Sequence, residues 1–286
     1  MAGDRLQVGN VEIITLTDLE CRMAFTLPQL FAGVPLSEWA PYQKRYPSAF
    51  EGEDGWHVHV GGTLIRSGGR TILVDTGLGP DPNPMLGSGP GRLLEAMHEH
   101  GIAPGDIDIV FATHAHLDHI GWNLTREGKP TFPNARYVMH EADWNGREQL
   151  QEVILAFGGE RYLDRTLTGL DTLGVLDLLS GESALTPEVT ALPTPGHTAG
   201  SMSVLVSSGG EKAIITGDVM TNPAIVTETG WQFGFDMDAS LNTRTRDALL
   251  DRIEADDITL ATCHFPHPGF GKIIRIEGRR YWEALP

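Results

Sequence analysis

Short apolar runs separated by turn residues dominate this chain. Apolar positions recurring every second residue predict strands, and those recurring at three and four predict helices. Residues 5–17 read as strands with a turn at Gly9-Asn10. Residues 56–66 and 70–75 read as a hairpin around Ser67-Gly68-Gly69. The runs 107–113 and 136–139 are short and β-rich, and from 172 to 218 brief strands alternate with turns such as Ser207–Gly210. Residues 258–262 and 273–282 close the chain as strands. Helical spacing is expected over 91–100, 146–157 and 243–255, the first closed by Gly101. Strands in both halves with helices between them predict two sheets packed face to face, with helices outside.

Residues 18–55 break this pattern. They hold Phe25, Trp39, Phe50 and other aromatic and leucine side chains spaced by prolines, and read as a long irregular arm. Long loops in compact domains are often functional. The arm either packs on the core or a partner subunit, or lines a substrate pocket.

The length of 286 residues suits one domain spanning 1–286, with a core that needs no disulfides. Cys21 and Cys263 alone cannot build a disulfide framework or a thiolate zinc site. A formal net charge of −17 repels phosphate backbones and anionic membranes, so neither nucleic acid nor membrane is expected as a partner. No apolar run approaches a membrane span and the N-terminus lacks a signal-peptide layout, so the expected location is the cytoplasm.

The sharpest chemical signal is His114-Ala-His116-Leu-Asp118-His119, just past the run 107–113. Residues two apart in extended chain point the same way, so His114 and His116 can meet one ion. Asp118 and His119 diverge and can serve a second. Three later ligand types follow β runs: His197 in Thr194-Pro-Gly-His197, Asp218 in Thr216-Gly-Asp218, and His264 in Cys263-His264-Phe-Pro. Four such strand ends could gather at one sheet edge. Imidazole and carboxylate suit zinc, with manganese, iron or cobalt as alternatives. His267 competes with His264 for the last role, but His264 directly follows the strand. His57 and His59 alternate on a strand and could in principle bind a metal.

His-x-His-x-Asp-His, Pro-Gly-His, Gly-Asp and a late His, after Val74-Asp75-Thr76-Gly77, together resemble the metallo-β-lactamase superfamily over residues 60–280. The resemblance implies an α/β (α+β) αββα sandwich and two divalent metal ions. It places His114, His116 and His197 on one ion and Asp118, His119 and His264 on the other, with Asp218 bridging. Asp75 would fix a ligand histidine from behind. A hydroxide held between the ions would attack a carbonyl carbon or phosphorus, with Asp118 passing a proton to the leaving group. By family analogy and the apolar arm, a homodimer is suggested.

Zinc β-lactamases carry Cys or Ser where this chain has Asp218, and too few residues follow His264 for the helical domain of glyoxalase II-like thioesterases. The tail from His264 to Ile273 and the stretch Phe235-Asp-Met-Asp238 resemble the lactonase and ester-hydrolase branch containing methyl parathion hydrolase. That branch implies small neutral or apolar lactones, esters and phosphotriesters. Phe25, Trp39, Phe50, Trp144, Thr221 and Phe233 are the expected substrate contacts. Acyl-homoserine lactonases carry a Tyr after the bridging Asp; here Thr221 stands nearby, a weaker acid with shorter reach. A thioesterase is the alternative reading, and a non-catalytic metal-binding protein a further one.

Overall fold

The computed structural model describes residues 3–86, 89–156 and 161–286. One sheet holds β1 (Arg5–Val8), β2 (Val11–Thr26), β3 (Phe50–Glu51), β4 (Gly55–Ser67), β5 (Arg70–Val74), β6 (Ile109–Phe111), β7 (Arg136–His140) and β8 (Leu176–Leu179). Its order is β1-β2-β4-β5-β6-β7-β8, with β3 paired to β4. The other holds β9 (Ser183–Thr186), β10 (Val189–Pro193), β11 (Met202–Ser208), β12 (Glu211–Ile215), β13 (Thr259–Ala261), β14 (Phe270–Ile276) and β15 (Arg279–Ala284), in reverse sequence order from β15 to β9. The mixed α/β architecture is the expected one.

The continuous apolar runs are explained by burial on both faces of the central strands. Side chains alternate between two cores. Ile13, Ile65, Ile72, Val74 and Phe111 of the first sheet meet Val204, Val206, Ala213 and Ile215 of the second between the sheets. Their chain neighbours Ile14, Leu64, Leu73, Val110 and Ile214 face outward into a helix-covered layer. There the helices Leu93–Glu99, Glu141–Ala156 and Ala239–Ala255 supply Leu93, Met97, Leu150, Leu249, Leu250 and Ile253.

Three sequence expectations need correction. Residues 18–26 are not loop but the continuation of β2, which pairs with β4 as far as Thr26. A one-residue bulge disguises this: the register passes from Thr17↔Gly61 to Leu19↔Val60, so the alternation changes phase at Asp18. The rest of the arm contains the helix Leu36–Arg45, whose Trp39 and Tyr42 are buried against Trp231, so its aromatics pack on the chain's own core. The expected closing strand 273–282 is a hairpin of β14 and β15, turned at Glu277 and Gly278, both with positive φ. The helix expected at 146–157 begins earlier, at Glu141; its expected last residue lies outside the described residues.

The bulge has a structural use. It aims Asp18 at the loop after β5, where its carboxylate accepts from Leu78 N at 2.6 Å, Leu93 N at 2.7 Å and Trp122 Nε1 at 2.8 Å. Gly77 sits over this carboxylate with φ +61; a Cβ there would lie 2.4 Å from Asp18 Oδ2. Asp18→Ala would leave three N–H donors without this partner. Each such loss costs about 1–3 kcal/mol. Chemical denaturation should show a loss of at least about 3 kcal/mol, and an unchanged midpoint would refute the clamp.

Candidate metal centre

The parallel pairings β5-β6-β7 and β12-β13 aim several strand ends at one edge of the sandwich. Asp75 follows β5, the His114–His119 segment follows β6, Asp218 follows β12 and His264 follows β13. His197 follows β10, in a turn where Gly196 has φ +137 and packs so closely on Asn242 that a Cβ would lie 2.3 Å from its backbone N. Asp75 itself is left-handed, with φ 61, a conformation Asp tolerates better than most residues.

Each buried histidine has one ring nitrogen committed outward. His119 Nδ1 lies 2.9 Å from Asp75 Oδ2, and His197 Nδ1 lies 2.9 Å from Asp236 Oδ1. His264 Nδ1 lies 2.9 Å from the backbone oxygen of His59. His114 Nδ1 lies 3.1 Å from Thr113 Oγ1, whose own proton goes to Asp75 Oδ2. All four are therefore Nδ1–H donors, and in the neutral ring each presents an Nε2 lone pair inward.

Those lone pairs converge. His116 Nδ1 lies 3.0 Å from His114 Nε2 and 2.8 Å from His197 Nε2. One proton on His116 can satisfy only one of these contacts, so at least one pair of lone pairs is left facing the other. A cation among the three nitrogens removes the repulsion. The second set comprises His119, Asp218, Cys263 and His264, whose donor atoms lie within 4.8 Å of one another. His119 Nε2 lies 3.4 Å from Asp218 Oδ1 yet makes no well-aligned hydrogen bond in its buried position. Asp118 flanks this set, 3.9 Å from His119 Nε2 and 3.6 Å from His264 Nε2. The residues fit a borderline divalent ion.

Asp218 lies between the sets. Its Oδ2 is 3.4 Å from His197 Nε2 and 3.9 Å from His114 Nε2, while Oδ1 is 3.2 Å from His264 Nε2. Burial works to raise its pKa, but His264 and His119 outweigh it and hold the carboxyl well below the usual range. Burial and the neighbouring imidazoles push His114 and His116 well down. Burial also opposes charge on His119 and His264, yet Asp218 and the other negative groups beside them hold both well above the ordinary imidazole value. The carboxylates thus draw positive charge to the His119–His264 side.

This centre forms the floor of a cleft of about 740 Å³, open mouth included. Met23, Trp56, Val58, Leu86, Leu117 and Phe233 are among its walls, and no Lys or Arg lines it among the described residues. Phe233 is the one expected substrate contact found there. Trp39 is fully buried behind it, against Phe31 and Trp231; Phe50 packs on Trp39, and Phe25 on Phe235. Trp144 stacks under Arg147, and Thr221 is buried with its hydroxyl unpaired. None of these five lines the cleft. Aromatic content alone cannot tell a wall from the packing behind it.

Residues 62–264 match the profile of the metallo-beta-lactamase superfamily. The chain belongs to this superfamily. It is 30% identical over 240 residues to the uncharacterized protein YobT of Bacillus subtilis (strain 168), covering 78% of this chain and 87% of YobT. It is 26% identical to an N-acyl homoserine lactonase of Bacillus cereus, over 64% of this chain and 72% of that protein. Two further curated relatives are matched over only about half their length, 48% and 54%. The fold superposes on AidC, a dizinc quorum-quenching lactonase, with a TM-score of 0.82 and 23% identity, covering 99% and 97% of the two chains.

Beyond the superfamily's motifs, three positions escaped the sequence reading. Asp143, at the start of the helix Glu141–Ala156, accepts from Ala115 N at 3.0 Å, Thr198 Oγ1 at 2.8 Å and Gly200 N at 2.6 Å, tying the His114–His119 loop to the His197 loop. Asp236 braces His197 and is itself held by Asn242 Nδ2 at 2.9 Å, with the buried Arg246 guanidinium 3.9 Å away. Cys263 puts its Sγ 3.6 Å from Asp218 Oδ1, and burial raises its thiol pKa. Asp236 and Cys263 lie inside the motif stretches and Asp143 in none, but no local pattern assigns any of them a role, because each acts through a contact distant in sequence. Removing a group that orients a ligand histidine weakens metal binding about 10–100-fold. Chelator competition should show a loss of that size for Asp236→Ala, with His116→Ala lowering bound metal further. Unchanged metal affinity in Asp236→Ala would show that His197 needs no brace.

Proposed function

We propose that this chain is a dinuclear metal-dependent hydrolase of small, neutral, apolar esters or lactones, with phosphotriesters as further substrates. The carrying observation is Asp218, whose two oxygens face two separate sets of histidines on the floor of an apolar cleft. His114, His116 and His197 would hold one ion. Asp118, His119 and His264 would hold the other, with Asp218 bridging and zinc the best match to these donors. Divalent ions in such a site supply ionised water near neutral pH and Lewis-acid polarisation of a carbonyl or phosphoryl oxygen.

The chain's own residues supply the rest. Met23, Val58, Leu86, Leu117 and Phe233 would bind the apolar acyl or aryl part of a substrate and exclude bulk water around it. The absence of Lys and Arg from the walls, among the described residues, disfavours anionic substrates. Asp75, Asp236 and the His59 carbonyl keep the ligand imidazoles in one tautomer, so none must turn before binding. Asp118 lines the cleft with 15% of its side chain exposed, placed to carry a proton toward a leaving group. Thr221 is buried and does not reach the cleft, so no hydroxyl stands in for the tyrosine of acyl-homoserine lactonases. Good leaving groups are therefore favoured. Likeness to a Bacillus cereus N-acyl homoserine lactonase supports the acyl-hydrolase class.

The test is a panel of lactones, aryl and alkyl oxyesters, matched thioesters and paraoxon-type triesters with metal-loaded enzyme. Nitrophenyl esters should outpace alkyl esters of the same acyl group by about 10²-fold or more, the scale of help to poor leaving groups that a tyrosine-like acid would add to Asp118. No turnover across the panel would end the proposal. Thioesters turned over faster than matched oxyesters would replace it with a thioesterase.

A further inference from the structure

We propose that Glu20, His59 and His267 form an additional site for a divalent transition-metal cation, separate from the centre in the cleft. Their donor atoms lie within 4.8 Å of one another. Strand geometry brings them together. Trp56 and Val58 of β4 line the cleft, so His59 lies on the opposite face of that strand. Glu20 is the cross-strand partner of His59. The bulge at Asp18 brings Thr17, opposite Gly61, onto that same face. His267 arrives from the loop after β13, its ring centroid 5.2 Å from that of His59.

The hydrogen bonds repeat the logic of the cleft centre. His59 Nδ1 lies 2.7 Å from the backbone oxygen of Cys263, so it carries the proton and Nε2 carries a lone pair. His267 Nε2 lies 2.8 Å from Asp4 Oδ1, so Nδ1 carries the lone pair. Both lone pairs meet Thr17 Oγ1, at 3.0 Å and 3.4 Å. One hydroxyl proton can serve only one of them. A cation here would take both nitrogens and the Glu20 carboxylate, a donor set suited to zinc, copper or nickel. His59 is 3% exposed, while Glu20 is exposed, so the site is reachable from solvent. The same His59 backbone holds His264 Nδ1, so an ion here would stiffen the loop that carries His264.

The experiment counts zinc by elemental analysis on the full chain, stripped, reloaded and gel-filtered. Wild type should hold one more equivalent than His267→Ala and than Glu20→Gln, while His98→Ala, which removes an exposed histidine elsewhere, should match wild type. Equal counts in wild type and both site variants would overturn the proposal, as would the same loss in His98→Ala. Circular dichroism before counting restricts the comparison to folded variants, and two independent substitutions guard against one that fails to fold. The count needs no substrate, so it stands or falls separately from the hydrolase reading.

Discussion

Four buried histidines each give one ring N–H to an acceptor built into the fold, and this fixes which nitrogen is left facing inward. Asp75, Asp236, the Thr113 hydroxyl and the His59 carbonyl are those acceptors. Around His116 the result is a group of lone pairs with too few protons to separate them. A cluster of this kind is costly to bury unless a cation joins it. Much of the surrounding structure maintains this arrangement against relaxation.

The braces come from distant parts of the chain. Asp75 uses both oxygens, on Thr113 N at 2.7 Å and on the Thr113 hydroxyl and His119 through the other atom. Asp143 ties two ligand loops to a helix start, and Asp18 locks the loop behind them. Tyr162 sets its hydroxyl between the carbonyls of Leu78 and Leu117, where its one proton serves either, and so ties the far side of the His114–His119 loop. Buried carboxylates are tolerable here because most of their lone pairs are filled by N–H or O–H donors. Arg246 is fully buried and donates to Val219 O at 2.9 Å and Thr229 O at 2.7 Å, pinning the segments on either side of the cleft wall.

The polar floor and apolar walls divide the work. Charge and lone pairs concentrate at the sheet edge, while methionine, leucine and phenylalanine side chains surround the approach. Low polarity above the floor strengthens electrostatic contacts beneath it.

The residues that gather at the candidate metal centre were legible in the sequence because each lies in a short local pattern after a β run, and local patterns survive in one dimension. The two-sheet architecture was legible for the same reason, from runs buried on both faces. The bulge at Asp18 was not, since a single extra residue shifts the alternation and makes strand look like loop. Nor could aromatic content separate Phe233, in the cleft wall, from Trp39, behind it. Asp143, Asp236 and the grouping of Glu20, His59 and His267 depend on contacts between segments far apart in the chain. Only the tertiary structure brings them together, because those groupings are set by strand register and loop packing rather than by neighbouring residues.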